Sequence, residues 1–461
     1  MKTLIWPLAD FLLLGRPKIK NTHFGGSKAT QWLRRGGFFL SLCMVTASAF
    51  AQSDRPAEIK LGMSTFMSGS ASVLGAPAKV AADMWIADFN AKGGVDGVKL
   101  KQTWIDEGQG ADKFLTEYRR LAQEPGEKVM LSAISSGYCG ALAPVAEDLK
   151  VINILWECSS EKVLEGKKYN YVFRTGPNGT LEMVAAVLHL LKVKPDFKTL
   201  AVVNQDYAWG RDSWDLFRNT LLALKPDVKI VAEMFPKFGA PDYSAEVTRL
   251  QALRPDVVLS TAWGGDLDTF LRQASQRGLL KTSQFVLPLA DSSLERLGNA
   301  VPPGVIVGFV GDGYFADPEF VNDPKAKDFV AKFKKETGAY PNFAVYHMIQ
   351  ALEATTEAYK KSLKDNGGKW PTTDQLASTL RSLEYRGLSR PIEMREDGQA
   401  MQGQLYGVTL KHSDYPFPQV GELLFYPAEL VAPPVGAISE DWVKTLKPDM
   451  VQSKLIQGVG K

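Results

Sequence analysis

From residue 58 to residue 310, short apolar runs of strand length alternate with amphipathic stretches of helical length. The alternation breaks at Gly176-Pro177-Asn178-Gly179. Such a pattern specifies βα units around parallel sheets, and the break divides them into two series. The first series predicts strands at 58–66, 99–105, 129–134, 151–156 and 171–175, with helices at 76–91, 112–123 and 141–150. The second predicts strands at 199–204, 229–234, 256–262, 284–289 and 305–310, with helices at 181–191, 212–224, 243–253 and 267–278. The expected fold class is α/β, with two doubly wound, Rossmann-like lobes. Gly311-Asp312-Gly313 makes a second break, followed by helices at 324–337, 343–362 and 373–383. Three helices are too few for a further domain and should pack back on the first lobe. Late strands near Ile392 and at 405–410 should return to the second. The expected bounds are 56–175 plus 312–386 for the first lobe and 178–308 plus 390–430 for the second. Residues 431–461 complete a Pro-rich surface tail that begins near Tyr415.

Two loops twenty residues apart anchor the first series. One is Ser135-Ser136-Gly137-Tyr138-Cys139-Gly140-Ala141, and the other is Glu157-Cys158-Ser159-Ser160. If the strands before them are parallel neighbours, both loops leave the carboxyl edge of the sheet, where open α/β sheets bind ligands. Small residues leave backbone N–H groups uncovered, and the hydroxyls of Ser136, Ser159 and Ser160 add donors. A helix N-terminus behind such donors suits an anion, most simply a carboxylate. Tight turns alone explain one such loop; two at one edge make a ligand site an equal alternative. Trp156, Trp209 and Trp263 also fall at carboxyl ends of predicted strands. Singly each fits a core, but together they fit an aromatic-lined cleft.

The composition narrows the function. Seven of the 54 basic residues and one of the 51 acidic residues lie in the first 51 positions. The remainder carries 47 and 50, so no basic footprint for nucleic acid remains. Arg34-Arg35, the apolar stretch 38–45 and Ala49-Phe50-Ala51 form an export signal, leaving a soluble protein that begins near Gln52. Export leaves Cys139 and Cys158, one in each anchoring loop. In an oxidising compartment we expect them bridged, with two free, half-buried thiols as the alternative. His23, His189, His347 and His412 stand far apart without metal-ligand spacing, no nucleophile elbow appears, and no cofactor is expected. Glu157 and Asp291 follow strands and have acid–base potential, although loop carboxylates are usually solvated. The enzyme class is disfavoured.

The segments 59–69, Asp88-Phe89-Asn90-Ala91-Lys92-Gly93-Gly94, Phe173-Arg174-Thr175 and Phe270-Leu271-Arg272-Gln273-Ala274 occur in an order that resembles the leucine/isoleucine/valine-type periplasmic binding proteins, the solute receptors of ABC importers. The resemblance spans residues 59–410. It implies a periplasmic monomer whose two lobes, joined by three crossovers, close on a ligand and dock on an inner-membrane permease. The crossovers would fall at Gly176-Pro177, Gly311-Asp312-Gly313 and 387–391. It also implies a carboxylate-binding loop at Gly137, Tyr138 and Cys139, a hydroxyl position at Ser160, and aromatic positions at Trp209 and Trp263. The family's ammonium-binding acid falls on Leu289, and its first-lobe disulfide partner is missing near Gly108. Asp291 or Glu157 would have to replace that acid, because an unpaired buried ammonium costs several kcal/mol. The expectation is a receptor for a small carboxylate, an aromatic or apolar acid before a zwitterionic amino acid. A ligand sensor or regulator on the same fold is the alternative, though no fused DNA-binding or signalling module is recognisable.

Overall fold

The β-branched runs become strands and the amphipathic stretches cover them. The computed structural model describes residues 55–460, so the expected export signal lies outside the described residues. Strands β1 (Glu58–Thr65), β2 (Lys99–Asp106), β3 (Lys128–Ser132), β4 (Asn153–Leu155) and β5 (Val172–Arg174) pair in parallel in the order β2-β1-β3-β4-β5. Helices α1 (Ser72–Ala91), α2 (Ala111–Ala122) and α3 (Ser136–Leu149) connect the first four. The second sheet repeats that order with β6 (Thr199–Val203), β7 (Lys229–Met234), β8 (Val257–Leu259), β9 (Gln284–Leu287) and β10 (Ile306–Gly308), which run β7-β6-β8-β9-β10. Its helices are α4 (Gly179–Val193), α5 (Ala208–Leu224), α6 (Ser244–Leu253), α7 (Gly264–Gln276), α8 (Leu279–Thr282) and α9 (Asp291–Leu297). Each sheet therefore has a topological switch point, at β1/β3 and at β6/β8, and ligands bind outside such points. Helices α10 (Pro324–Thr337), α11 (Phe343–Asp365) and α12 (Thr373–Leu380) follow. α10 and α11 pack on α1, as expected of helices returning to the first lobe.

Three expectations need correction. The segment near Ile392 does not join the second sheet. β11 (Glu384–Arg386), β12 (Pro391–Met394) and β13 (Ala400–Met401) form a separate antiparallel sheet, because a local hairpin pairs Tyr385 with Ile392. A parallel bridge from Arg174 to Gln399 ties this sheet to β5. Residues 387–390 are thus the hairpin turn, and the chain crosses between the sheets at Gln402-Gly403. The Pro-rich segment after Tyr415 is not all surface either. Strands β14 (Gln404–Leu410), β15 (Gln419–Tyr426) and β16 (Gln457–Gly458) extend the second sheet antiparallel from β10, covering an edge that would otherwise expose unpaired backbone. Finally, the tail runs over α4 and α5 with Val431 and Val443 fully buried.

One buried histidine adds an acid-sensitive contribution to this core. His189 lies 2 % exposed in α4, against Tyr406 and Tyr426, with Nδ1 3.0 Å from the Tyr426 hydroxyl. Burial lowers its pKa from 6.5 to about 3. The unfolded chain therefore takes up a proton below pH 6.5 that the folded chain refuses, and stability falls as the pH drops from 6.5 towards 3. Each unit is worth about 1.4 kcal/mol, so this histidine alone contributes a loss of about 2 kcal/mol between pH 6.5 and 5. Urea titrations at the two pH values should register that loss as the difference between the parent protein and His189→Gln, because Glu107 and Glu161, with raised pKa values, act in the opposite direction in both.

Candidate functional site

The two anchoring loops do leave one sheet edge, since β3 and β4 are parallel neighbours. The first is more regular than its composition suggests. Helix α3 begins at Ser136 rather than at residue 141, so Ser136, Gly137 and Tyr138 form its first turn and their N–H groups lack intrahelical partners. The Cys139 N–H is used by the Ser135 carbonyl at 3.0 Å. Buried Glu107, at the end of β2, fixes this turn by accepting from the N–H groups of Ile134 (3.1 Å) and Ser135 (3.3 Å) and from the Ser64 hydroxyl (3.0 Å). Burial raises its carboxyl pKa to about 7, against the opposing pull of those donors.

Cys139 and Cys158 form a disulfide that fastens the second loop to the first. Arg174, 1 % exposed at the end of β5, supports the second loop from beneath. Its guanidinium donates to the carbonyls of Ser160 (2.8 Å) and Cys158 (3.2 Å) and to Gln399 Oε1 (2.6 Å), and lies 3.8 Å from Glu161. Glu161 in turn accepts from the Thr180 N–H and hydroxyl, each at 2.6 Å, at the N-terminus of α4. The first crossover is thereby tied to the loop.

The second lobe contributes aromatic faces. Trp209 sits in the first turn of α5 and donates from its indole to the Thr261 carbonyl at 3.1 Å. Its ring lies over Gly179, where a Cβ would stand 3.0 Å away. Trp263 caps α7 and donates to the Tyr207 hydroxyl at 2.6 Å. Trp156, by contrast, is fully buried and donates to the Ser64 carbonyl at 3.1 Å, making it a core residue.

Ser136, Glu157, Ser159, Trp209 and Trp263 together line a cavity between the sheets, with Leu74, Ile134, Tyr207 and Leu289 completing its wall. It measures about 20 Å³, space for one water molecule. Glu157 is 7 % exposed and burial raises its pKa, despite the opposing charge and hydrogen bond of His347. His347 bridges the site to the second crossover: Nδ1 is 2.7 Å from Glu157 Oε2 and Nε2 is 2.5 Å from the Val310 carbonyl. Among the described residues no group of three or more His, Cys, Asp or Glu side chains is placed to hold a metal ion.

The other five predicted site residues lie outside this wall. Gly137 is exposed, Tyr138 stacks on Phe114 with ring centres 5.1 Å apart, and the Cys139 sulfur is in the disulfide. The Ser160 hydroxyl donates to Asp212 of α5, whose other oxygen accepts from Lys162 Nζ at 2.5 Å. Ser160 is thus a contact between lobes, because the backbone turn after Ser159 aims it at α5. Asp291 opens α9 and accepts from the Phe343 N–H at 3.0 Å, turned away from the cavity. A second contact between lobes joins the Gly265 N–H to the Ser70 carbonyl at 3.1 Å. Sequence reasoning missed Tyr207, Arg174 and His347. Only Tyr207, two residues before Trp209, had a local signal.

A family model described as periplasmic binding protein matches residues 58–415. The chain is 25% identical over 372 residues to Leu/Ile/Val-binding protein homolog 4 of Brucella melitensis, covering 77% of this chain and 84% of that one. In fold it is similar to a solute binding protein of an ABC transporter from Rhodopseudomonas palustris in complex with 3,4-dihydroxy benzoic acid. That match has a TM-score of 0.68 at 22% identity and covers 83% of this chain and 100% of the other. A leucine binding protein from Thermotoga maritima matches with a TM-score of 0.65 at 19% identity, covering 79% and 98%.

Proposed function

Because this chain belongs to the periplasmic binding protein family, we propose that it captures a small aromatic or otherwise apolar carboxylate between its lobes and delivers it to an inner-membrane ABC permease. The role is binding and delivery after export to the periplasm, without a reaction. The observation that carries the reading is the composition of the cavity wall. On one side stand Ser136 at the α3 N-terminus, Ser159 and Glu157; on the other stand Trp209, Trp263 and Tyr207. Helix N-terminal N–H groups and hydroxyls suit a carboxylate, and indole faces suit a ring.

At about 20 Å³ the cavity is far below the several hundred Å³ of typical ligand sites. A ring-sized ligand therefore enters by parting the lobes. Glu157 then selects what accompanies the carboxylate. Its burial favours the neutral acid, and His347 already engages one oxygen. The carboxyl is suited to a hydroxyl group or to no polar partner, and an ammonium would have to compete with His347. The Brucella relative's name and the Rhodopseudomonas complex point to the two ligand classes in contention.

Titration calorimetry with phenylpropionate and phenylalanine separates them. Phenylpropionate should bind at least as tightly, and Glu157→Gln should change its affinity by less than about five-fold, roughly 1 kcal/mol. Much tighter binding of phenylalanine, lost in Glu157→Gln, would identify Glu157 as an amine anchor and refute the preference.

A further inference from the structure

A larger cavity, about 350 Å³, lies elsewhere on the seam, between the first turns of α1 on one side and α9 and the start of β15 on the other. Its walls are aromatic. Phe315 stacks on Tyr340 with ring centres 4.2 Å apart, and Phe417 stands 5.9 Å from Tyr340. Two polar side chains in this wall have an unused atom. Asp291 spends Oδ2 on the Phe343 N–H, while its shielded Oδ1 has no partner. Gln419 is 6 % exposed and accepts the Tyr314 hydroxyl on Oε1 at 3.0 Å, leaving Nε2 without an acceptor. Buried polar atoms of this kind are costly to leave unpaired.

Asp291 is one of two carboxyl side chains in the wall. Glu295 is a second carboxylate, accepting from the Tyr340 N–H at 3.0 Å. The only guanidinium in the lining, Arg296, is engaged by Asp268 at 2.7 Å. An ammonium satisfies Asp291 Oδ1 by donating to it, and the aromatic walls suit an apolar body, the Tyr340 ring already carrying Lys334 Nζ 3.8 Å from its centre. Gln419 Nε2, in the same wall, needs an oxygen acceptor.

We propose that this cavity is a second ligand site, which takes a small primary ammonium carrying an apolar body and a neighbouring carbonyl or hydroxyl oxygen. The lining comes from both lobes, so an occupant binds their closed arrangement and tightens carboxylate binding in the cleft. By linkage, the carboxylate tightens the amine by the same factor.

Phenylalaninamide has these groups and lacks the carboxylate that the cleft is proposed to hold. Calorimetry on the intact protein should give saturable binding. Asp291→Asn, which retains an acceptor for the Phe343 N–H, should weaken it at least ten-fold. Ala76→Leu, which fills the cavity from α1, should do the same. Both variants should keep a cooperative thermal transition, and saturating phenylalaninamide should raise phenylpropionate affinity in the parent protein. Absence of saturable binding, equal binding in both variants, or simple competition with phenylpropionate would overturn the proposal. Failure of phenylpropionate to bind, with phenylalaninamide binding intact, would count against the cleft assignment and leave this site standing.

Discussion

Arg174→Met is expected to destabilise the protein by about 3–5 kcal/mol, the usual cost of removing one partner from a buried ion pair. The substitution strands Glu161 and leaves the carbonyls of Cys158 and Ser160 and the Gln399 amide oxygen without their donor. All of these groups are deeply buried, so water cannot replace the guanidinium cheaply. Urea denaturation should show a large fall in midpoint. Arg174→Lys should recover only part of it, because one ammonium cannot reach the separated acceptors that a planar fork spans. A positioning role adds a further result: phenylpropionate affinity should fall in Arg174→Lys even where the variant is fully folded. A loss below about 1 kcal/mol in Arg174→Met would mean that the loop holds its shape without the guanidinium.

Gly265→Val should prevent the lobes from meeting. A Cβ at Gly265 would stand 3.1 Å from the Ser70 carbonyl oxygen and 3.2 Å from the Ser70 Cβ, and valine adds two methyl groups to that contact. Overpacking of this size costs about 1–3 kcal/mol. The cost falls on the closed form alone, so it appears as a loss of phenylpropionate affinity of roughly 5- to 150-fold. Small-angle scattering should record compaction of the parent protein on adding saturating phenylpropionate and little or none in the variant. Unchanged affinity together with unchanged compaction would show that the Ser70–Gly265 contact plays no part in closure.

The alternation of runs and amphipathic stretches carries the core of the fold because strand and helix periods are local properties. Both five-stranded parallel arrays, and the break between them at Gly176–Gly179, are therefore legible in the chain. The beginnings of α3, α5 and α7 are less so. Gly, Ser and Cys at 136–140 have loop propensities, and it is the distant Glu107 carboxylate that fixes the turn before this helix. The third crossover differs for another reason. The segment near Ile392 pairs with Tyr385 across the short turn at 387–390, a local hairpin in place of the second-sheet strand expected there.

The site divides in the same way. Ser136 and Ser159 follow strands of the first sheet and Trp209 and Trp263 strands of the second, so strand prediction alone brings each pair to the carboxyl edge of its sheet. Ser160 illustrates the failure: one residue beyond Ser159, the backbone turns its hydroxyl to Asp212, 52 positions away. His347 reaches Glu157 across 190 positions from the second turn of a long helix, and no spacing rule anticipates that pair.

The most direct measurement is a crystal structure of the protein grown with phenylpropionate. The carboxylate is expected against Ser136, Ser159 and the first-turn N–H groups of α3, with the ring between Trp209 and Trp263. Phenylpropionate found outside that cavity, or absent at a concentration that saturates the calorimetric signal, would contradict it.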